Sequence, residues 1–275
     1  MRDAVAQGAR VLARAGVPTP EREARHLFLL AGGEVEADPW AEVPCGVGRR
    51  YRALVEARAR RVPRPLLEGE TGFLDFEVRV CPGVFVPRPE TEELAERAVA
   101  LLRALPPSPR ALDLGTGTGA LAIALARARP DAWVLAVDAS PRAVACARRN
   151  VGRLGLAGRV EVRRSDWFSE VSGRFDLLVS NPPYVARGEL GALEPEVRRY
   201  EPRRALDGGE DGLDAVRTIL AGAPEHVVPG GMVLLEIGHG QGEAVLRLAR
   251  GALWAEARIE PDLSGRERFF IGRCG

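Results

Sequence analysis

From residue 110 onward, short apolar segments alternate with segments of helical periodicity. The apolar segments predict strands over residues 111–114, 133–137, 160–162, 175–180, 232–237, 255–259 and 268–271. Helices are predicted between most of them, over residues 121–129, 140–154, 213–221 and 243–250. Strands joined through helices of this length make right-handed crossovers and lie parallel. The sequence therefore predicts an α/β fold with a seven-stranded, mainly parallel sheet that is covered on both faces.

Residues 1–64 precede this pattern and predict a small helical domain. Val5, Ala9 and Leu12 recur at helical spacing, and Thr19 before Pro20 is typical of a helix start with a capping hydroxyl. A further helix is predicted over residues 49–61. Its arginines are expected to be largely solvated: Arg50, Arg52, Arg58, Arg60 and Arg61.

The sequence pattern changes from helical to alternating between these two parts. Pro63 and Pro65 prevent continuation of the helix, and strict apolar–polar alternation over residues 74–80 predicts a strand of a β-hairpin. The expected organisation is a helical domain over residues 1–64, a linker and β-hairpin over 65–86, and the α/β domain over 87–275.

Charge and composition exclude several classes of protein. The 275 residues carry 39 basic and 38 acidic side chains, which argues against binding of long stretches of nucleic-acid phosphate. Every basic residue is arginine, so lysine Schiff-base chemistry and a lysine-bearing phosphate loop are excluded. Neither a long apolar run nor a secretory signal is present, so no association with a membrane is expected.

The cysteines and histidines are dispersed along the chain. No C-x-x-C pair occurs among Cys45, Cys81, Cys146 and Cys274, and the three histidines are equally scattered, so no metal site is expected. Unpaired thiols are typical of a reducing compartment, and a cytoplasmic protein is therefore predicted.

A glycine-rich loop follows the first predicted strand of the sheet. It contains Gly115, Thr116, Gly117, Thr118 and Gly119, and a helix follows it. Glycines permit positive φ and close approach of a ligand, and the N-terminus of the helix favours an anionic group. A tight turn without a ligand is the alternative.

An acidic residue after the next strand indicates a nucleoside ligand for this loop. Asp138 lies 19 positions beyond Gly119, where a carboxylate can accept hydrogen bonds from both ribose hydroxyls. Dinucleotide-binding loops usually have the spacing G-x-G-x-x-G, whereas this loop has G-x-G-x-G. The tighter spacing favours S-adenosylmethionine, whose charged end is an amino-acid carboxylate, over a dinucleotide.

The segment Asn181-Pro182-Pro183-Tyr184 comes directly after the strand predicted over residues 175–180. Ligands of open α/β sheets bind at this end of the strands. The Asn181 side-chain carbonyl and the Pro182 main-chain carbonyl could accept both N–H bonds of a planar amide or amino group. They would orient its nitrogen for attack on a methyl sulfonium, while Tyr184 offers a flat apolar surface. A rigid turn without catalytic function is the alternative.

Several motifs together resemble S-adenosylmethionine-dependent amino-methyltransferases. They are residues 113–119, Asp138, Ser165-Asp166-Trp167-Phe168 and Asn181 to Tyr184. Residues 85–92 and 200–209, together with the helical domain, make the chain similar to the peptide-chain-release-factor glutamine methyltransferase family, also called the HemK family.

This resemblance implies a Rossmann-like methyltransferase fold and transfer of a methyl group to the N5 amide nitrogen of the glutamine in a Gly-Gly-Gln loop of class I release factors. It implies that S-adenosylmethionine, which becomes S-adenosylhomocysteine, is held by the glycine loop, by Asp138 on its ribose and by Asp166 and Trp167 beside its adenine. Asn181 to Tyr184 would hold the glutamine, with Asn181, Pro182 and Tyr184 as the catalytic residues and Asn181 also next to the cofactor. The helical domain would dock the release factor.

Other interpretations of the same motifs stay open. A base of RNA or DNA could be the methyl acceptor after flipping, although no direct nucleic-acid binding is expected from the charge balance. A glutamine of a ribosomal protein and a non-catalytic binding module are the other two candidates. The sequence also leaves the roles of Arg88, Glu236 and His239 open, although a satisfied strand-end residue is favoured for Glu236.

Overall fold

The computed structural model of the chain describes residues 2–34, 43–250 and 254–275. These residues form two compact units. The first unit comprises Met1–Gly69 and Glu194–Tyr200, and the second comprises Glu70–Leu193 and Glu201–Gly275. The domain boundaries at 64 and 86 stay predictions, and part of the predicted helical domain, residues 35–42, lies outside the described residues.

The helices and strands have the following bounds. The α-helices are α1 (Arg2–Arg14), α2 (Pro20–Leu30), α3 (Cys45–Ala59), α4 (Arg64–Glu68), α5 (Pro89–Ala104), α6 (Ala120–Ala128), α7 (Pro141–Arg153), α8 (Pro195–Tyr200), α9 (Asp214–His226) and α10 (Gly242–Leu248). The strands are β1 (Glu70–Phe73), β2 (Phe76–Arg79), β3 (Arg110–Leu114), β4 (Trp133–Asp138), β5 (Val160–Arg164), β6 (Phe175–Ser180), β7 (Val227–Glu236), β8 (Trp254–Pro261) and β9 (Glu267–Cys274).

The first unit is helical and has its own apolar core. Helices α1, α2 and α3 pack on one another through buried side chains that include Leu12, Leu27, Phe28, Tyr51 and Val55. Phe28 and Tyr51 meet edge to face, with ring centroids 5.4 Å apart. The short helix α8, although it comes from the second half of the chain, belongs to this unit.

Two predictions about the first unit are wrong. Helix α2 does begin at Pro20, but Thr19 makes no side-chain cap hydrogen bond. Its φ of 48° is left-handed, whereas a capping residue has an extended backbone that brings its hydroxyl to the free N–H groups. The expectation that the arginines of residues 49–61 are largely solvated is wrong for Arg58 of α3 and for Arg61, which follows α3, whereas Arg50, Arg52 and Arg60 are exposed. The side chains of Arg58 and Arg61 are 8% and 13% exposed, because both form ion pairs with Glu196 of α8.

The second unit contains a seven-stranded sheet in the order β5-β4-β3-β6-β7-β9-β8. The pairs from β5 to β7 are all parallel, and β9 lies antiparallel to both β7 and β8. The predicted α/β class with a mainly parallel sheet is thus confirmed. Strands β1 and β2 form a separate antiparallel hairpin.

Helices cover both faces of the sheet. Residues alternate between the faces along each strand, so that in β3 Ala111 packs with α5, α6 and α7 while Leu112 and Leu114 pack with α9 and α10. The parallel strands β3, β4 and β6 end at one edge of the sheet, in Leu114, Asp138 and Ser180. The loops after these three strands therefore lie together.

Candidate active site

A cavity of about 510 Å³ lies at the carboxyl ends of β3, β4 and β6. This volume is in the usual range for a small-molecule site. All but one of the predicted catalytic, cofactor-binding and substrate-binding residues line the cavity: Gly115, Thr116, Gly117, Thr118, Asp138, Asp166, Trp167, Asn181, Pro182, Pro183 and Tyr184. The exception is Gly119, which lies behind the loop, where an added Cβ would be 3.2 Å from the Cβ of Ala147. Gly119 therefore lets α6 pack closely on α7.

The shape of the glycine loop is fixed by a buried carboxylate. Asp113 is fully buried, and its Oδ2 accepts hydrogen bonds from Thr116 Oγ1 at 2.5 Å and from the Ala122 amide at 3.2 Å. The amides of Gly115 and Thr116 both donate to the carbonyl of Val137 at 2.9 Å. The loop is therefore tied to β4 and to the start of α6 at the same time.

The loop leaves room for a ligand to approach its backbone. Gly115 has a φ of +72°, and a Cβ added to it would meet nothing within 4 Å, so a side chain there would enter the cavity. Behind the loop, Oδ1 of Asp113 has no hydrogen-bond partner among the described residues, and burial raises the pKa of this carboxyl to about 7. Sequence reasoning did not select Asp113 as a separate site residue.

Asp138 stands at the end of β4 with both carboxylate oxygens fixed by backbone amides. Oδ1 accepts from the Ser140 amide at 2.8 Å, and Oδ2 accepts from the Gly117 amide at 3.0 Å. Burial raises the pKa of Asp138, although these two hydrogen bonds and the charge of Arg204 act in the opposite direction. Each oxygen keeps a further lone pair, so the carboxylate can still accept bonds from ligand hydroxyls.

Trp167 is held in an uncommon backbone conformation. Its φ is +48°, a region that few residues other than glycine adopt. Ser165 Oγ donates to the Trp167 carbonyl at 2.7 Å and accepts from the Glu170 amide at 3.0 Å. The turn places the indole ring against the apolar cluster beneath the cavity and at the cavity wall. A flat aromatic wall of this kind suits a planar ring of a ligand.

The Asn181–Tyr184 segment is supported from behind by close backbone packing. A Cβ added to Gly208 would be 2.8 Å from the Pro183 carbonyl oxygen, and one added to Gly212 would be 2.4 Å from that of Tyr184. Gln241 Nε2 donates to the same Tyr184 carbonyl at 3.0 Å. Side chains at either glycine would displace the segment.

Three side-chain hydrogen bonds join this segment to neighbouring elements. Asn181 Nδ2 donates to Thr91 Oγ1 at 2.9 Å, and Thr91 Oγ1 donates to Glu236 Oε2 at 3.0 Å. Tyr184 donates its phenolic hydrogen to Glu236 Oε1 at 3.2 Å. Burial raises the pKa of Glu236 to about 7, and burial, with the nearby charge of Glu236 next, raises the pKa of Tyr184. Glu236 is a satisfied strand-end residue, as the sequence favoured.

The structure separates the remaining candidates from the cavity. Arg88 forms an ion pair with the buried Glu201, and its guanidinium lies 5.1 Å from the centre of the Phe85 ring. His239 is exposed.

Two absences hold for the described residues. Within residues 2–34, 43–250 and 254–275, no group of three or more His, Cys, Asp or Glu side chains could hold a metal ion. Over the same ranges, no helix combines the length and the apolar character that crossing a bilayer would need. All four cysteines lie in these ranges as free thiols.

The fold and this site define a methyltransferase, and residues 75–193 match the family model described as "Methyltransferase small domain". A methyltransferase from Pyrococcus furiosus has a similar fold, with a TM-score of 0.51 and 20% identity over 71% of this chain and 87% of that structure.

Two curated relatives indicate which group of methyltransferases the chain belongs to. A release factor glutamine methyltransferase of Cereibacter sphaeroides is 45% identical over 98% of this chain and 97% of its own length. The corresponding protein of Deinococcus radiodurans is 42% identical, over 99% of this chain and 98% of its own length. The chain belongs to the release factor glutamine methyltransferase family.

Proposed function

We propose that this protein transfers a methyl group from S-adenosylmethionine to the N5 amide nitrogen of the glutamine in the Gly-Gly-Gln loop of class I release factors. The observation that carries the proposal is the orientation of Asn181. Its amide nitrogen donates to Thr91, which leaves its carbonyl oxygen to accept an N–H bond in the cavity. The membership of the family supports the choice of a protein glutamine as the acceptor.

The cavity suits the proposed cofactor. Gly115 and Gly117 would allow its amino-acid end to approach the backbone, Asp138 would offer lone pairs to its ribose hydroxyls, and Asp166 and Trp167, which line the cavity, would border its adenine. When bound, S-adenosylmethionine supplies an electrophilic methyl group on a positively charged sulfur.

The chain's own residues would act on the glutamine by orientation. An amide nitrogen is a weak nucleophile because its lone pair is delocalised into the carbonyl. The carbonyl oxygens of Asn181 and Pro182 would each accept one N–H bond, which fixes the nitrogen and increases its electron density. Tyr184 would contact the planar amide. The effect is one of positioning and electrostatics. The methylated nitrogen would lose one of its two hydrogens as a proton to solvent after the transfer, so no strong base is required.

The proposed substrate places the reaction in the cytoplasm, where release factors act on the ribosome. The four free thiols are compatible with this compartment. We assign no direct nucleic-acid contact to the reaction, in keeping with the charge balance of 39 basic and 38 acidic residues.

A labelling experiment tests the proposal. The purified protein is incubated with methyl-labelled S-adenosylmethionine and, in separate reactions, with a release factor, ribosomal proteins, RNA and DNA. Label is expected on the release factor, at the Gly-Gly-Gln glutamine by mass spectrometry, and is expected to be absent when that glutamine is replaced by alanine. Label only on a ribosomal protein or on nucleic acid would overturn the choice of substrate.

A further inference from the structure

Three elements that are distant in sequence meet behind Asn181. Thr91 lies in the first turn of α5, Asn181 follows β6, and Glu236 ends β7. Thr91 and Glu236 are 5% and 1% exposed, so water cannot easily replace their hydrogen bonds. The chain of bonds from Asn181 through Thr91 to Glu236 is therefore an internal part of the site wall.

Counting donors and acceptors fixes the direction of every bond in this chain. An ionised carboxylate can only accept, so Glu236 requires Thr91 to donate its one hydroxyl hydrogen. The Thr91 oxygen then has lone pairs and no hydrogen for Asn181. Asn181 can satisfy it only with its NH₂ end. The carbonyl end of the Asn181 amide is thereby turned towards the cavity.

The second oxygen of the Glu236 carboxylate binds Tyr184, on the other side of the proposed site for the methyl acceptor. Glu236 Oε1 accepts the phenolic hydrogen of Tyr184, whose ring lies under the guanidinium of Arg268 at 5.9 Å. Glu236 thus links the residue that would accept an N–H bond with the residue that would contact the amide plane.

We propose that Glu236, acting through Thr91, is the positioning residue that determines which end of the Asn181 amide faces the methyl acceptor. The inference rests on the proposed function, because an acceptor that brings N–H donors needs the carbonyl end of Asn181. With the amide reversed, Asn181 would present N–H groups to the N–H groups of the substrate, and both would lose a partner.

The charge of Glu236 is essential to this arrangement. A protonated Glu236 can donate to Thr91, and Thr91 can then donate to Asn181, which favours the reversed amide. Besides Thr91, three ionisable side chains of the described residues act on the carboxylate: Arg268 from β9 opposes protonation, whereas Glu90 from α5 favours it and Tyr184 donates to the ionised form. Burial dominates and raises the pKa to about 7, so the rate of methyl transfer should fall as the pH decreases below about 7.

Three substitutions separate positioning from folding. T91V keeps the shape of the side chain and removes the hydroxyl, T91S restores the hydroxyl, and E236Q removes the charge. T71V, in β1, is the matched control outside the cavity. The rate of single-turnover methyl transfer to the release factor is measured from pH 5.5 to 8.5. The KM of the release factor is measured separately in the steady state, and the Kd of S-adenosylmethionine by titration.

At pH 8, T91V is expected to slow transfer about 10- to 100-fold, the range found when the hydrogen-bond partners that orient metal-binding side chains are removed. The KM of the release factor and the Kd of the cofactor should stay within about threefold. T91S should recover most of the rate, and T71V should match the unchanged protein. The acidic decline in rate should be present in the unchanged protein and absent from T91V and E236Q.

The outcomes distinguish this inference from the proposed function. If the unchanged protein methylates the glutamine, and T91V and E236Q do so at the same rate with the same pH profile, the positioning role is wrong and the proposed function stands. If the unchanged protein does not methylate the glutamine, the proposed function is wrong. If thermal unfolding shows that T91V does not fold, the positioning role is judged from the rate and pH profile of E236Q alone.

Discussion

Arg58 and Glu196 lie 138 residues apart in the sequence and are joined by a hydrogen-bonded ion pair of 2.8 Å. Their side chains are 8% and 16% exposed. The same carboxylate accepts two bonds from Arg61, at 2.6 and 2.7 Å, while Arg58 also donates to Glu23 at 2.9 Å. Burial opposes ionisation of Glu196, but the bonds from the two arginines outweigh it and lower the pKa of this carboxyl.

Replacement of Glu196 by glutamine should therefore destabilise the first unit. The change leaves two largely buried guanidinium groups without their shared countercharge, and we expect the free energy of unfolding to fall by about 2 kcal/mol, less than for a fully buried pair. Urea denaturation followed by circular dichroism measures the effect, and amide hydrogen exchange in α3 assigns it to this unit.

Glu194 provides the matched control for Glu196. It also forms an ion pair with Arg61, at 3.2 Å, but its side chain is 72% exposed. Exposed pairs contribute less than about 1 kcal/mol, so E194Q should change little. Equal effects of E194Q and E196Q would contradict the importance of burial at this cluster.

The ion pairs of Arg58 and Arg61 illustrate what the sequence could not predict. A helix in this region and its arginines were predictable from local pattern, but Glu196, the carboxylate that Arg58 and Arg61 share, comes from α8, more than 130 residues later. An arginine-rich helix face without visible acidic neighbours is normally solvated. The prediction failed because it used only local spacing.

The candidate site, too, could be predicted only in part from the sequence. The glycine loop, Asp138, Trp167 and the Asn181–Tyr184 segment were predictable, because each follows a strand and parallel strands bring their carboxyl ends together. Thr91 and Glu236 carry no motif that marks them as partners of Asn181. Their role depends on how α5 packs beside β6 and β7, which is a tertiary relationship.

Replacement of Asn181 by alanine should remove one of the two proposed carbonyl acceptors. Loss of a single oriented hydrogen-bonding group in an active site commonly slows the reaction about 100-fold. We expect that decrease in kcat for methylation of the release factor, with the Kd of S-adenosylmethionine within about threefold. Steady-state kinetics and calorimetric titration of the cofactor measure both. A kcat within threefold of the unchanged protein would show that Asn181 does not orient the substrate amide.

Replacement of Trp167 by alanine should act on the cofactor rather than on the reaction step. Its indole lines the cavity, and stacking of a base on an aromatic ring contributes about 1–3 kcal/mol. The Kd of S-adenosylmethionine should increase about 10-fold, while kcat at saturating cofactor stays within about threefold.

Trp133 is the control for Trp167. Both rings pack against the same apolar cluster, but Trp133 begins β4, at the end of the strand away from Asp138. W133A should lower the melting temperature and leave the Kd of the cofactor unchanged. A loss of kcat in W167A with normal cofactor affinity would be inconsistent with a place beside the adenine.

Replacement of Glu236 by glutamine should have a pH-dependent effect on stability. Burial raises the pKa of Glu236 from 4.5 to about 7 in the folded protein. Between these values the folded state binds more protons at this group than the unfolded state, so the free energy of unfolding decreases as the pH rises through this window. For this change in pKa, the free energy of unfolding decreases by about 3 kcal/mol in total, and the decrease is complete above about pH 7. The E236Q variant has no titratable group at this position, so its free energy of unfolding does not decrease for this reason.

The stability of E236Q relative to the unchanged protein should therefore increase by about 3 kcal/mol between pH 4.5 and pH 8. Asp113, whose pKa burial also raises to about 7, is present in both proteins, so its contribution cancels in the difference. Urea denaturation of both proteins at several pH values measures this difference. At pH 8 the variant should then be stable but slow in methyl transfer, because the charge that costs folding energy is the charge that orients Thr91 and Asn181. A difference in stability that is constant with pH would mean that Glu236 ionises equally in the folded and unfolded states.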